Sequence, residues 1–137
     1  MIVADTNVLS EPLRKEPDKA VLRWLADNGS DLAITSVTVH ELLYGVLRLP
    51  EGRRRTALGA AVDRLIAAAQ DRLLSYDESA ARAHAQLRRT RSTAGKPTSL
   101  EDGMIAAIAL SHGAPVATRN VAHFTGFGVE VVDPWNE

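Results

Sequence analysis

The sequence predicts an α/β domain in which a short, mostly parallel sheet of four or five strands is covered by helices on both faces. Short apolar segments alternate along the chain with longer segments whose apolar residues recur at helical spacing, which is typical of parallel strands joined by helices. The 137 residues are enough for one core of ordinary size but not for two. We therefore expect a single domain over residues 1–137.

The predicted strands are apolar runs bounded by polar residues. The first begins at Met1 and ends abruptly at Asp5, Thr6 and Asn7. The other four are expected at residues 32–35, 73–76, 116–118 and 129–132. Ligands bind at the carboxyl edge of such a sheet, because the loops that leave it form a crevice between strand ends and helix N-termini. Asp5 is therefore placed where a site is expected.

The predicted helices combine an apolar stripe with start or stop signals at their ends. Ser36 and Asp77 are good N-caps, and Gly113 followed by Pro115 is a typical helix stop. Helices are expected at residues 7–13, 18–28, 36–49, 52–72, 77–91 and 99–112, with loops at 92–97 and 119–128. The last helix is so broadly apolar that we expect it to pack deeply.

Composition narrows the possible functions. The net charge of −1 does not indicate a nucleic-acid binder, so such binding would depend on the local arginine patches at 53–55 and 88–91. The absence of cysteine excludes disulfides and thiolate metal sites. No apolar run approaches the roughly 18 residues that span a bilayer, and no basic stretch precedes an apolar one at the N-terminus. We expect a cytoplasmic protein whose mature chain begins at Met1.

Three carboxylates are expected at the carboxyl edge of the sheet. Asp5 follows the first strand, Glu41 lies in the helix after the second strand, and Asp102 lies in the first turn of the apolar helix. Carboxylates brought together repel one another unless a cation joins them. Mg²⁺ or Mn²⁺ is the natural companion, since both ions prefer oxygen ligands and retain bound waters.

Each carboxylate also has an alternative interpretation as a helix cap. Asp5 could cap the helix that follows it. Glu41 and Asp102 stand three residues after Thr38 and Ser99, which is the spacing of a capping box.

Glu101 is an alternative to Asp102 as the site residue. We favour Asp102 because it precedes Ile105 by about one turn and so lies on the expected inward face.

The loop after the fourth strand offers further polar groups. Thr118 and Asn120 could add oxygen ligands or orient a metal-bound water, or they could simply form a turn. His123 stands beside Phe124 and is either a site residue or a packed loop residue.

Together these segments resemble those of PIN-domain ribonucleases, in particular VapC-type toxins of bacterial toxin–antitoxin pairs and their FitB-like branch. The resemblance extends over nearly the whole chain and rests on residues 5–7, 36–41, 101–107, 118–124 and 133–135. It implies a PIN-like α/β/α sandwich in which Asp5, Glu41 and Asp102 match three acidic positions of a metal site. PIN domains often carry a fourth acid after the fourth strand, where this chain has Asn120 and His123.

The resemblance also implies an activity and partners. We expect an endoribonuclease that uses Mg²⁺, or Mn²⁺ in its place, with Asp5, Glu41, Asp102 and Asn120 as catalytic residues. Thr6, Asn7, Thr118 and His123 would support them. Expected partners are an RNA substrate, a VapB-like antitoxin and a second copy in a homodimer. The apolar, arginine-bearing region 37–73 could be the antitoxin surface, although we favour the alternative that its Leu and Ala residues form part of the core of the chain itself. The alternative is a noncatalytic PIN-like module that binds RNA or protein, because the fourth acid is missing.

Overall fold

The computed structural model describes residues 1–96 and 98–137. Its centre is one sheet of five parallel strands in the order β3-β2-β1-β4-β5. The strands are β1 (Ile2–Ala4), β2 (Leu32–Thr35), β3 (Leu73–Leu74), β4 (Val116–Ala117) and β5 (Val131–Val132). Val3 of the central strand pairs with Ala33 on one side and with Val116 on the other. The predicted α/β class and parallel sheet are confirmed.

Within the described residues, seven α-helices connect and follow these strands. They are α1 (Thr6–Ser10), α2 (Lys19–Asn28), α3 (Ser36–Leu47), α4 (Arg53–Ala68), α5 (Glu78–Thr93), α6 (Leu100–Ser111) and α7 (Val121–Phe124). Single 3₁₀ turns at Glu11–Leu13, Gly29–Asp31 and Gln70–Arg72 complete three of the connections. None of the helices in the described part of the chain is long and apolar enough to cross a membrane.

The sheet is covered on both faces, as predicted. Successive strand residues point to opposite faces, so Val3 and Ala4 belong to two different core clusters. Val3 packs in the cluster that contains Ile105 and Ile108 of α6, both fully buried. Ala4 packs with Val8 of α1 on the other face. The prediction that α6 packs deeply is confirmed.

Several predicted boundaries are wrong. The predicted loop 119–128 contains α7, a helix of four residues whose Phe124 is fully buried. So short a helix leaves no periodic pattern in the sequence. The long helix predicted over 52–72 ends at Ala68 and is followed by a 3₁₀ turn. In the predicted loop 92–97, α5 continues to Thr93, and Pro97 lies outside the described residues.

The strands β3, β4 and β5 are shorter than predicted, with two residues each. The predicted residues outside these strands include the polar Ser75, Thr118 and Glu130. The Thr118 N–H and the Glu130 carbonyl still hydrogen-bond to the neighbouring strand, so the pairing fades at these ends without an apolar signal that marks the boundary. The predicted cap Ser36 is also wrong. Thr35 caps α3 by accepting from the Thr38 amide, while the Ser36 hydroxyl accepts from the backbone N–H of Tyr76.

Candidate active site

Asp5 lies at the centre of the carboxyl edge. Its backbone N–H donates to the Ala117 carbonyl at 2.8 Å, which continues the pairing of β1 with β4 by one residue. The side chain is only 4% exposed. Its Oδ1 accepts from the Thr6 amide and its Oδ2 from the Thr118 hydroxyl, each at 2.8 Å. Asp5 therefore caps α1, as the alternative interpretation held, with both carboxylate oxygens held in place.

Burial raises the pKa of Asp5 to about 6. The hydrogen bonds from Thr118 and Thr6 oppose this rise, whereas the negative charges of Asp102 and Glu41 add to it. Asp102 and Glu41 are therefore near enough to act on the charge of Asp5, and the three predicted carboxylates lie at the same edge of the sheet.

Glu41 reaches this edge from the second turn of α3. Its Oε1 accepts from the hydroxyl of Thr6 at 2.7 Å, and the same hydroxyl lies 2.9 Å from that of Thr38. The proposed capping box of Thr38 and Glu41 does not form, because the helix begins earlier at its Thr35 cap. Thr35 and Thr38 are both fully buried. The hydroxyls of Thr6, Thr38 and Thr35 thus form a hydrogen-bonded series that runs from Glu41 into the core.

Asp102 lies in the first turn of α6, which is capped by Ser99. The Ser99 hydroxyl accepts from the Asp102 amide at 3.2 Å, one half of the suggested capping box. The carboxylate itself turns to His123, whose Nδ1 lies 3.1 Å from Oδ2. The Asp102 side chain is 16% exposed and that of His123 is 60% exposed. Glu101 instead lines a neighbouring surface cleft with Glu41 and Tyr44.

The loop after β4 joins the site through its backbone. The Thr118 hydroxyl, which donates to Asp5, also accepts from the backbone N–H of Asn120 at 3.0 Å. Asn7 accepts from the backbone N–H of Arg119 at 3.3 Å and so ties the β1–α1 corner to this loop. The Asn120 residue is exposed at the N-terminus of α7. Every residue predicted for the site is thus placed at the carboxyl edge.

The sequence interpretation missed two parts of the site. It gave Thr38 no role beyond capping, and it did not find α7, which carries His123. The spacing of Thr35 and Thr38 is a recognisable capping signal, but nothing in the sequence shows that Thr6 reaches Thr38.

The donor set suits a hard divalent ion. Among the described residues, no three His, Asp or Glu side chains are close enough together to hold a metal ion as they stand. Asp5, Glu41 and Asp102 instead offer oxygens from three separate elements around an open edge. This arrangement fits Mg²⁺, which retains several waters and is bound through only one or two carboxylates.

A cleft of about 740 Å³ opens beside this edge. Thr6, Glu41, Leu13 and Leu58 are among the residues that line it, as is the acidic Glu16. Basic side chains also line it, contributed by Arg14, Lys15 and Arg54. An extended anionic ligand could therefore lie in the cleft and reach the carboxylates.

Comparison with known proteins gives consistent matches over the whole chain. The family model described as the PIN domain matches residues 2–124. The chain is 40% identical over 137 residues to VapC ribonuclease Y4jK of Sinorhizobium fredii, with 98% of each chain covered. It is 37% identical over 139 residues to toxin FitB of Neisseria gonorrhoeae, with 100% of each chain covered. The crystal structure of FitAcB from the same organism superposes with a TM-score of 0.94 at 37% identity and full coverage of both chains.

Proposed function

The chain belongs to the PIN-domain family, among the VapC- and FitB-type toxins, and we propose that it is a metal-dependent endoribonuclease of a toxin–antitoxin pair. The proposal rests chiefly on the convergence of Asp5, Glu41 and Asp102 at one sheet edge. A carboxylate whose pKa is raised by burial, and further by the charges of two other acids, is a costly arrangement for folding alone.

Asp5 and Asp102, joined by Glu41, would hold Mg²⁺, with Mn²⁺ as a substitute. When bound, such an ion supplies Lewis-acid chemistry: it lowers the pKa of a coordinated water and neutralises charge on a phosphate. The protein's part is to fix the ligands. Thr118 and the Thr6 amide orient Asp5, the Thr6 hydroxyl orients Glu41, and His123 orients Asp102.

The substrate would be an RNA strand lying in the large cleft. Arg14, Lys15 and Arg54 can engage its phosphates, so binding should weaken steeply with salt. Asn120 is exposed, and its backbone N–H donates to the Thr118 hydroxyl that binds Asp5, so its side-chain amide could contact the phosphate or a bound water. Asp5 or Asp102 would orient the attacking water.

The partners proposed are a VapB-like antitoxin and a second copy of the chain. The outer face of α3 supports an interaction surface, because Leu43, Tyr44 and Leu47 are exposed there and Leu47 is 62% exposed. Large apolar side chains grouped on one helix face are typical of protein interaction sites.

The test compares cleavage of RNA by wild-type protein, Asp5→Asn and Asp102→Asn, each with Mn²⁺, with Mg²⁺ and with a chelator. We expect cleavage by the wild type with either ion, and losses of at least about a hundredfold in both variants, because each removes an anionic ligand. Cleavage that persists in the chelator, or that is unchanged in Asp5→Asn, would refute the assignment.

The presence of Asn120 and His123 where a fourth acid is common supports a second candidate function. In that case the chain is a noncatalytic module that binds RNA or protein. Such a module would bind the same RNA under Mn²⁺ without cutting it, whereas the proposed nuclease cuts.

A further inference from the structure

A second cavity, of about 220 Å³, lies between the C-terminal half of α5 and the start of α6. The proposed catalytic groups do not line it. Its wall includes three nitrogen-bearing side chains, His84, Arg88 and Arg91, and the hydroxyls of Thr98 and Ser99. None of the described residues that line it is acidic. The cavity is therefore basic in a chain whose net charge is −1.

The two arginines have no carboxylate partner in the part of the chain that the structure describes. Neither Arg88 nor Arg91 forms an ion pair within the described residues. Arg91 is nevertheless fixed, because its Nη1 donates to the Thr125 carbonyl at 2.6 Å and its guanidinium lies 4.7 Å from the centre of the Phe127 ring. Its Nε is buried with no hydrogen-bond partner in the described part of the chain. Arg91 thus places a positive charge at the cavity that no carboxylate of the described residues pairs with, and the exposed Arg88 lines the same wall.

His84 adds a buried polar group to the same wall. Its side chain is only 6% exposed, and its Nδ1 lies 2.7 Å from the Tyr76 hydroxyl. Its Nε2 lies against Gly103, also on the cavity wall, and makes no hydrogen bond to any described residue. Burial, and then the charge of Arg88, lower the pKa of His84. Nε2 lies at the cavity wall with no hydrogen-bond partner among the described residues, so it is available to a ligand.

The cavity adjoins the candidate active site. Ser99 lines the cavity, and its hydroxyl also accepts from the Asp102 amide. Thr98 lies between the two sites, with its hydroxyl 3.5 Å from the His123 carbonyl. One helical turn rises about 5.4 Å, so Asp102 lies within a turn of the cavity wall. The amides at the start of α6 also favour an anion there.

We propose that this cavity binds a phosphate group of the RNA strand, beside the phosphodiester that the carboxylates cleave. The proposal rests on the proposed function, because it takes RNA as the ligand. Arg88 would donate to the phosphate oxygens through paired N–H groups, the geometry that makes arginine a good phosphate ligand, and Arg91 would donate through the N–H groups that Thr125 does not use.

The test uses two substitutions with the same change in charge. Arg88→Gln removes an arginine that faces the cavity, whereas Arg89→Gln removes its neighbour, which lines a shallow surface with Thr90 and Thr93. Affinity for a fluorescent single-stranded RNA is measured in chelator at several salt concentrations. We expect Arg88→Gln to weaken binding about tenfold and to reduce the salt slope by about 0.7, and Arg89→Gln to stay within about twofold. Equal losses of RNA affinity in the two variants, or no loss in Arg88→Gln, would overturn the proposal.

NMR of the imidazoles gives a second readout that does not depend on a variant. RNA should shift the ring signals of His84 but not those of His112, which lies exposed at the other end of α6. A parallel titration with inorganic phosphate at matched ionic strength shows whether free phosphate shifts the same His84 signals. If phosphate shifts His84 and RNA does not, the cavity takes free phosphate and the proposal is wrong.

Cleavage assays separate this proposal from the proposed function. If wild-type protein cleaves RNA under Mn²⁺ but Arg88→Gln and Arg89→Gln bind alike, only the phosphate subsite fails. If it does not cleave but the two variants still differ in RNA binding, only the nuclease assignment fails.

Discussion

The hydroxyl of Thr6 donates to the carboxylate of Glu41 at 2.7 Å and joins residues 35 positions apart in the chain. Thr6 belongs to the corner after β1, and Glu41 belongs to α3. The backbone N–H of Thr6 also donates to the carboxylate of Asp5, so one residue orients two of the three acids.

Replacing Thr6 with valine should therefore damage the site without removing any acid. We expect a loss of about 10- to 100-fold in metal affinity or cleavage, the usual effect of removing a group that orients a metal ligand. Thr6→Ser keeps the hydroxyl and should retain most of the activity. Mn²⁺ titrations of cleavage measure both variants, and equal losses in the two would show that the hydroxyl is not what matters.

The contact of His123 with Asp102 makes a similar prediction on the other side of the site. His123→Ala should lower cleavage about tenfold, because Asp102 loses the group that fixes its rotamer. His123→Asn places an amide N–H near the position of Nδ1 and should restore part of that loss. Initial rates at saturating Mn²⁺ test this, and an alanine variant with full activity would exclude an orienting role.

The raised pKa of Asp5 predicts a pH dependence of stability in the absence of metal. The folded state binds this proton more tightly than the unfolded state, so the benefit is complete below pH 4 and is lost as the pH rises through about 6. A rise of the pKa from 3.8 to about 6 corresponds to about 3 kcal/mol. Urea unfolding in chelator between pH 4 and 8 should show this decline in wild type and much less of it in Asp5→Asn.

Binding of Mg²⁺ should reverse the loss of folding stability at high pH. Mg²⁺ competes with the proton on Asp5, so its stabilisation of the fold should be larger at pH 8 than at pH 5. At a concentration of 100 times Kd the gain is about 2.7 kcal/mol. Melting curves with and without Mg²⁺ measure it, and Asp5→Asn should show little gain. An equal gain in that variant would place the ion elsewhere.

Gly103 is predicted to be intolerant of a side chain. An alanine Cβ there would lie 2.6 Å from Nε2 of His84, which the Tyr76 hydroxyl holds on its other side. Gly103→Ala should destabilise the fold by about 1–3 kcal/mol through overpacking. Gly45→Ala on α3 meets nothing within 4 Å and should stabilise it by about 0.5–1 kcal/mol. Chemical denaturation compares the two, and a neutral Gly103→Ala would contradict the close packing of α5 on α6.

Glu11 is predicted to be structural. It is 2% exposed, pairs with Arg14 at 3.1 Å and accepts from the Asp18 amide at 2.9 Å. Glu11→Gln should destabilise the fold by about 1–3 kcal/mol, since it removes the charge of a buried carboxylate that binds Arg14 and the Asp18 N–H. Glu78→Gln breaks an exposed pair with Arg82 and should have little effect. Similar losses of stability in the two variants would contradict this role.

Much of the fold follows from local patterns. Every strand expected from an apolar run is present, because burial of such runs determines where strands form. The errors lie where local signals are weak. α7 is too short to show a period, and the ends of β3 to β5 depend on where neighbouring strands stop pairing.

By itself the sequence determined that Asp5, Glu41 and Asp102 stand near the carboxyl ends of strands, since strand ends and helix starts are encoded locally. Only the tertiary structure decided which groups form hydrogen bonds with these carboxylates. Thr118 and Asp5 are 113 residues apart, and His123 and Asp102 are 21 apart. Such contacts depend on strand order and on the packing of α6 and α7, which involve the whole chain and leave no local pattern.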